Sequence, residues 1–192
     1  MIRLLKISVL LSFALLLSCC KTQNTALSGR SNEWATKVKI QGLNNLYKVN
    51  SDLYRSEQPG SQEMILLENL GIKTVINVRQ IHNDNREAKN TKLVLEHIPI
   101  NTWTISYDEV VMVLKVIIKS EKPVLLHCKH GSDRTGCIVA AFRMAISGWT
   151  KEEAIREFRE GGFGYHEKWY PNILRLINSI DIEKLKNDIH KK

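Results

Sequence analysis

The segment His127-Cys128-Lys129-His130-Gly131-Ser132-Asp133-Arg134-Thr135-Gly136 gathers the groups of this chain best suited to covalent chemistry. It follows the apolar run Val124-Leu125-Leu126 and precedes an apolar helical pattern, so it reads as a turn between a strand and a helix. A loop in that position turns backbone N–H groups inward, and the helix dipole adds to the attraction for an anion. Gly131 lets the loop curl, and the planar fork of Arg134 grips two phosphate oxygens. Lys129, His130, Ser132 and Asp133 complete the expected phosphate-binding set. The same positive field favours a thiolate at Cys128, which makes it a nucleophile. Thr135 is expected to hydrogen-bond that sulfur, and His127 to hold the loop.

Attack on phosphorus would leave a thiophosphoryl group on Cys128, which an activated water then hydrolyses. The first step needs an acid for the leaving oxygen. Two aspartates are candidates. Asp133 weakens the positive field of the loop, so it is either an in-loop acid or the ion-pair partner of a nearby lysine. Asp108 stands in what reads as the first turn of a helix, where the dipole alone favours a carboxylate. His127, Cys128 and His130 do not amount to a closed zinc site, which needs four ligands. No metal and no other cofactor is expected. Cys137 reads as a small core residue behind the loop.

The elements that must position this loop are legible along the chain. Leu46 to Val49 and Leu53 to Arg55 flank the turn residues Asn50-Ser51-Asp52, which predicts a hairpin. Ser61 starts a helix that Gly71 ends. Ile72 to Val78 reads as a central strand, followed by a polar stretch from His82 to Thr91 and a second strand from Leu93 to Ile100. Ser106 and Glu109 have capping-box spacing ahead of Val110, Val113, Leu114 and Ile117. Pro123 to His127 is a short buried strand, and Arg134 to Ile146 a helix closed by Gly148. Thr150 and Glu153 open a helix to about Glu160 that Gly161 to Gly164 breaks, with one or two helices beyond. Strands alternating with helices predict an α/β fold with a central, mostly parallel sheet flanked by helices.

Cys128, five residues and then Arg134, preceded by His and followed by Thr-Gly, resembles the active loop of cysteine-dependent phosphatases. From about Leu46 to Ile180 the chain is similar to the dual-specificity phosphatases, especially their atypical plant and fungal branch and its bacterial relatives. The likeness also rests on Leu53-Tyr54-Arg55-Ser56, Asn69-Leu70-Gly71-Ile72, Pro123 to Lys129 and Arg134 to Cys137. It implies a phosphatase acting on phosphoproteins or, as in the eukaryotic branch, on inositol pyrophosphates. In that superfamily the acid comes from an upstream loop, and the matching stretch here, Pro99-Ile100-Asn101-Thr102-Trp103-Thr104, has no carboxylate. Asp133 directly before Arg134 instead resembles the loop of myotubularin lipid phosphatases and of secreted bacterial phosphatases that accept phosphoinositides. The missing upstream acid leaves a non-catalytic phosphate-binding module as an alternative. The Arg134-Thr135-Gly136 ending argues against a sulfur-transfer loop.

Ahead of this domain lies an address. Arg3 and Lys6 precede an apolar run from Ile7 to Leu17, whose eleven residues span roughly 16 Å as helix, well short of a bilayer core. Leu16-Leu17-Ser18-Cys19 resembles the lipobox of bacterial lipoproteins, in which the cysteine after the cut receives lipid. We therefore expect a signal over 1–18, a polar tether over 19–31 beginning at a lipidated Cys19, and a domain over 32–192. The resulting protein would be exported and held by its lipid anchor on a membrane, facing the periplasm or the exterior. The 192 residues carry a formal +8, still +6 without Arg3 and Lys6. Such a balance favours anionic partners. Nucleic acid is not among those expected, because basic and aromatic residues do not interleave. With 43% hydrophobic and 25% charged residues, the composition excludes a disordered or multi-span membrane chain.

Overall fold

The computed structural model describes residues 31–191, so the expected signal, Cys19 and all but the last residue of the tether lie outside it. In chain order the elements are β1 (Thr36–Lys37), β2 (Tyr47–Lys48), β3 (Leu53–Ser56), α1 (Ser61–Asn69), β4 (Thr74–Asn77), β5 (Val94–His97), α2 (Tyr107–Lys119), β6 (Val124–His127), α3 (Asp133–Ala145), α4 (Lys151–Glu160), α5 (Pro171–Ser179) and α6 (Ile182–His190). The strands form one sheet in the order β1-β2-β3-β6-β4-β5. β3, β6, β4 and β5 run parallel, while β1 and β2 add an antiparallel edge.

Local chemistry explains most boundaries. Asn50 Oδ1 accepts from the N–H groups of Asp52 and Leu53, closing the β2–β3 hairpin. Ser106 and Glu109 cap α2 reciprocally, as Thr150 and Glu153 cap α4. Gly71 follows α1 at φ +100°, a conformation a side chain resists. The strands predicted over Ile72 to Val78 and Leu93 to Ile100 are shorter than their apolar runs, β4 keeping Thr74–Asn77 and β5 Val94–His97. Beyond His97 the chain leaves the sheet, but Ile98 and Ile100 stay buried and lead it toward the site. β1 was not foreseen, since two exposed residues carry no periodicity.

β6 lies at the centre and is buried along its length. Its alternation splits the core in two. Val124 and Leu126 face a cluster built with α2 to α6, and Leu125 faces Met64, Leu67 and Ile72 from α1 and its exit. The layers are helix, sheet, helix. α3 is buried nearly all round, its small residues Gly136, Ala140 and Ala141 admitting neighbours closely. A Cβ at Gly136 would stand 2.4 Å from the Phe158 ring on α4. Arg143 on α3 makes a bidentate pair with Glu157 on α4, both bonds 2.8 Å, and the same carboxylate accepts from the Ala35 N–H. That buried pair fastens the N-terminal segment and two helices together. Among the described residues no helix is long and apolar enough to cross a membrane.

Candidate active site

The register aligns Ser56 of β3 and Asn77 of β4 beside His127 of β6. The next residues therefore leave the sheet together at its carboxyl edge, where open α/β sheets bind ligands. Cys128 is the first residue of the loop and is 1% exposed, at the bottom of its own turn.

The loop is held from outside through its carbonyls. His127 O accepts from Val78 N, Cys128 O from His127 Nδ1 and Lys129 O from Gln58 N. His130 O accepts from Asn45 Nδ2 at 2.7 Å, and Gly131 O from Arg55 Nη2 at 2.6 Å. With five successive carbonyls turned outward, the N–H groups are left for the interior. No acceptor among the described residues takes those of Lys129, His130, Gly131 or Ser132. Orphan donors converging at a helix N-terminus make an anion cradle. Gly131 has φ +71°, and a Cβ there would lie 2.5 Å from the Ser56 carbonyl. The curl is open to glycine alone.

Arg134 is half-buried. One Nη1 bond to Ile100 O, 3.1 Å, steadies it, and its buried Nε has no partner. A donor pair on its fork thus stays available to an anion. Ile100 belongs to the upstream loop, so the structure brings that stretch beside Arg134. Asn101 at its tip accepts from Trp103 N through Oδ1, a local turn in the place where the superfamily's acid is expected. Trp103 is exposed and packs its edge on Tyr170.

The two candidate aspartates fare differently. Asp108 sits exposed in the first turn of α2, and no hydrogen bond or ion pair among the described residues joins it to the loop. Asp133 is buried, and its carboxylate accepts from both the backbone N–H and Nδ1 of His166, at 3.0 and 2.9 Å. The expected lysine partner is thereby corrected to a histidine, because the turn after Gly164 carries His166 over the loop. His130 stands next to it, ring centroids 5.7 Å apart. Ser132 turns its hydroxyl away to Phe163 O at 2.7 Å, so only its backbone faces the cradle. The bond expected from Thr135 to the Cys128 sulfur is not formed. In the first turn of α3 its hydroxyl is fully enclosed by core and has no partner.

Two supports of the loop, Arg55 and Asp84, carry no role in the sequence reading. Arg55 is fully buried beneath the loop, its guanidinium 3.8 Å from the Phe163 ring centre. Burial pulls its pKa down to about 10, opposed by Glu157 and Cys128, so it stays a cation at neutral pH. His127 is tied through Nε2 to Asp84 Oδ2 at 2.8 Å. Burial pushes the Asp84 carboxyl up, but the bonds and charge of His127 and the bond from Gln58 outweigh it and hold it below its ordinary value. Burial drives the Cys137 thiol up to about 12, which leaves it protonated and inert. Both Cys128 and Cys137 are free thiols. Beside the loop opens a cavity of about 400 Å³, whose lining includes Lys37, Asn44, Asn45, His130 and His166.

Comparison with known proteins agrees with this geometry. The model of the tyrosine phosphatase family matches residues 42–192. The dual specificity protein phosphatase TpbA of Pseudomonas aeruginosa is 38% identical over 138 residues, 70% of this chain and 62% of that protein. The chain thus spans less than two thirds of that relative's length. The TpbA crystal structure aligns with a TM-score of 0.77 at 31% identity, covering 85% of this chain and 100% of the other. Another TpbA structure, a complex with phosphotyrosine, gives 0.76. An inositol diphosphatase of Arabidopsis thaliana is 29% identical over 162 residues, 76% of this chain and 74% of its own length. A Cys128 loop on this sheet, together with these matches, places the chain in the tyrosine phosphatase family.

Proposed function

We propose that the protein is a cysteine-dependent phosphatase of the dual-specificity type, hydrolysing phosphate monoesters by way of a thiophosphoryl intermediate on Cys128. The observation that carries this is the cradle of free N–H groups above a buried cysteine, closed by Arg134. Phosphate oxygens accept from the loop N–H groups and the Arg134 fork, and the Cys128 thiolate attacks phosphorus from below in line with the leaving oxygen. A water then displaces the sulfur and frees inorganic phosphate. Asp133 with His166 is the proton donor to the leaving oxygen, since Asp133 belongs to the loop itself whereas no hydrogen bond or ion pair among the described residues joins Asp108 to it. No metal takes part in this reading.

The depth of Cys128 favours an aryl phosphate, which is long enough to reach it, and the loop whose Ile100 carbonyl holds Arg134 also presents the exposed ring of Trp103. Phosphotyrosine, the ligand of the TpbA complex, fits both features. The second reading is an inositol phosphate or phosphoinositide. The adjoining cavity, with Lys37 and two histidines, leaves room for further phosphates. Hydrolysis of a phosphotyrosine peptide, a soluble phosphoinositide and an inositol pyrophosphate, compared by kcat/KM, separates the two. A preference for the peptide supports the first reading and a preference for either inositol compound the second. Phosphate binding without turnover of any substrate would reduce the protein to a binding module.

The N-terminal pattern supports export and anchoring at Cys19, with the domain outside the cytoplasmic membrane. Cys19→Ser should move the protein from the membrane to the soluble fraction. If wild type and variant fractionate alike, the anchor is absent.

A further inference from the structure

The polar stretch after β4 is mostly exposed but turns Asp84 and Glu87 inward. Asn77 Nδ2 donates to His82 O at 2.9 Å and pins the start of this loop to the end of β4. Asp84 and Glu87 are 4% and 7% exposed, although nothing in their sequence surroundings calls for burial. Together with His82 they bring one imidazole nitrogen and two carboxylate oxygens within 4.8 Å of one another.

The arrangement is unsatisfied as it stands. His82 Nε2 is 3.6 Å from Glu87 Oε2 and 4.0 Å from Asp84 Oδ1, too far for hydrogen bonds. Both His82 Nε2 and Glu87 Oε2 are buried with no hydrogen-bond partner. A buried polar atom left unpaired is destabilising, so both atoms call for a partner. Two ligands each 2.0–2.2 Å from a shared ion stand about 3.4 Å apart at the tetrahedral angle, close to these spacings.

The remaining oxygens are already engaged, in the way outer partners orient metal ligands. Asp84 Oδ2 accepts from His127, and Glu87 Oε1 accepts from Arg86 Nη2 at 2.7 Å. Gln58 Nε2 adds a bond to Asp84 Oδ1, which keeps a second lone pair. Glu87 Oε2, Asp84 Oδ1 and His82 Nε2 are thus the atoms turned toward one another. His82, with its side chain 31% exposed, gives an ion a way in.

We propose that His82, Asp84 and Glu87 form a binding site for a divalent transition-metal ion. One nitrogen and two carboxylate oxygens suit the range from Mn2+ to Zn2+, with water filling the open positions. The ion fixes Asp84 and, through it, His127 directly before Cys128. Its role is to hold the base of the catalytic loop, outside the phosphoryl-transfer chemistry. In the other histidine–carboxylate group, His130, Asp133 and His166, the carboxylate is already engaged by the backbone N–H and Nδ1 of His166.

The test uses the full chain in a Cys128→Ser background, which removes the reactive thiol, with Mn2+ followed by the loss of its free-ion paramagnetic resonance signal. The expected result is one ion per chain, bound about tenfold or more weakly in both Glu87→Gln and His82→Gln and unchanged in His166→Gln. Mn2+ should also raise the melting temperature of the parent and not of the two site variants. Should Glu87→Gln fail to fold, the partly exposed His82→Gln decides the question alone. Absence of Mn2+ binding, equal binding in all variants, or loss only in His166→Gln overturns the site. None of these readouts depends on phosphatase turnover.

Discussion

Gly131 and the aspartates carry the residue-scale predictions. Gly131→Ala forces a side chain into a left-handed backbone and against the Ser56 carbonyl 2.5 Å away. Strain of about 1–3 kcal/mol should either open the loop or deform it. Vanadate or phosphate affinity, read by calorimetry, should fall at least about tenfold, and unchanged affinity would mean that the curl is not required. Asp133→Asn should slow hydrolysis of an alkyl phosphate by about 10²-fold while largely sparing an activated aryl phosphate, because only a poor leaving group needs the proton. Asp108→Asn should leave both rates within about twofold. The reverse ordering would transfer the acid role to Asp108, despite its exposed place on α2. The pair of Asp84 with His127 adds a pH dependence. Because the Asp84 carboxyl lies below its ordinary value of 3.8, the stability it contributes is present above that value and lost as pH falls past it. Asp84→Asn should therefore flatten the acid limb of the melting temperature below about pH 4, and an unchanged limb would deny the pair that role.

At the scale of elements, α3 and the helix beside it decide how firmly the loop is held. The Arg143–Glu157 pair is buried and bidentate, and Glu157 also caps the Ala35 N–H. Glu157→Ala leaves a buried guanidinium uncompensated, so chemical denaturation should show a loss of about 3–5 kcal/mol. A loss under about 1 kcal/mol would show that water or a rearranged side chain takes its place. The elements themselves were largely legible. Capping boxes at Ser106 and Thr150, the Asn50 turn and the Gly71 exit are local chemistry and appear where the spacing puts them. The buried supports were not. Arg55, Asp84 and His166 lie 73, 44 and 38 residues from Cys128, and only tertiary folding brings them to the loop. Pattern in a single sequence gives no reason to bury an arginine, since the compensating Phe163 ring and Gly131 carbonyl are just as remote in the chain. The stretch from His82 to Thr91 reads only as polar, and nothing in it marks Asp84 and Glu87 for burial.

For the whole molecule, the parallel order β3-β6-β4-β5 makes one crevice at the carboxyl edge of the sheet, and the formal net charge, +8 for the chain and +6 without Arg3 and Lys6, favours anions. Association with a polyanionic substrate should weaken as ionic strength rises, since exposed charges are screened beyond about 8–10 Å at physiological salt. A single measurement bears most directly on the nucleophile. The full chain is mixed with an aryl phosphate, quenched in acid within the first turnover, and digested for mass spectrometry. The predicted result is a phosphoryl group on the peptide carrying Cys128, absent in Cys128→Ser together with all hydrolysis. Sustained hydrolysis by Cys128→Ser, or turnover by the wild type with the phosphoryl group on another residue, would contradict a thiolate at the base of this loop as the attacking group.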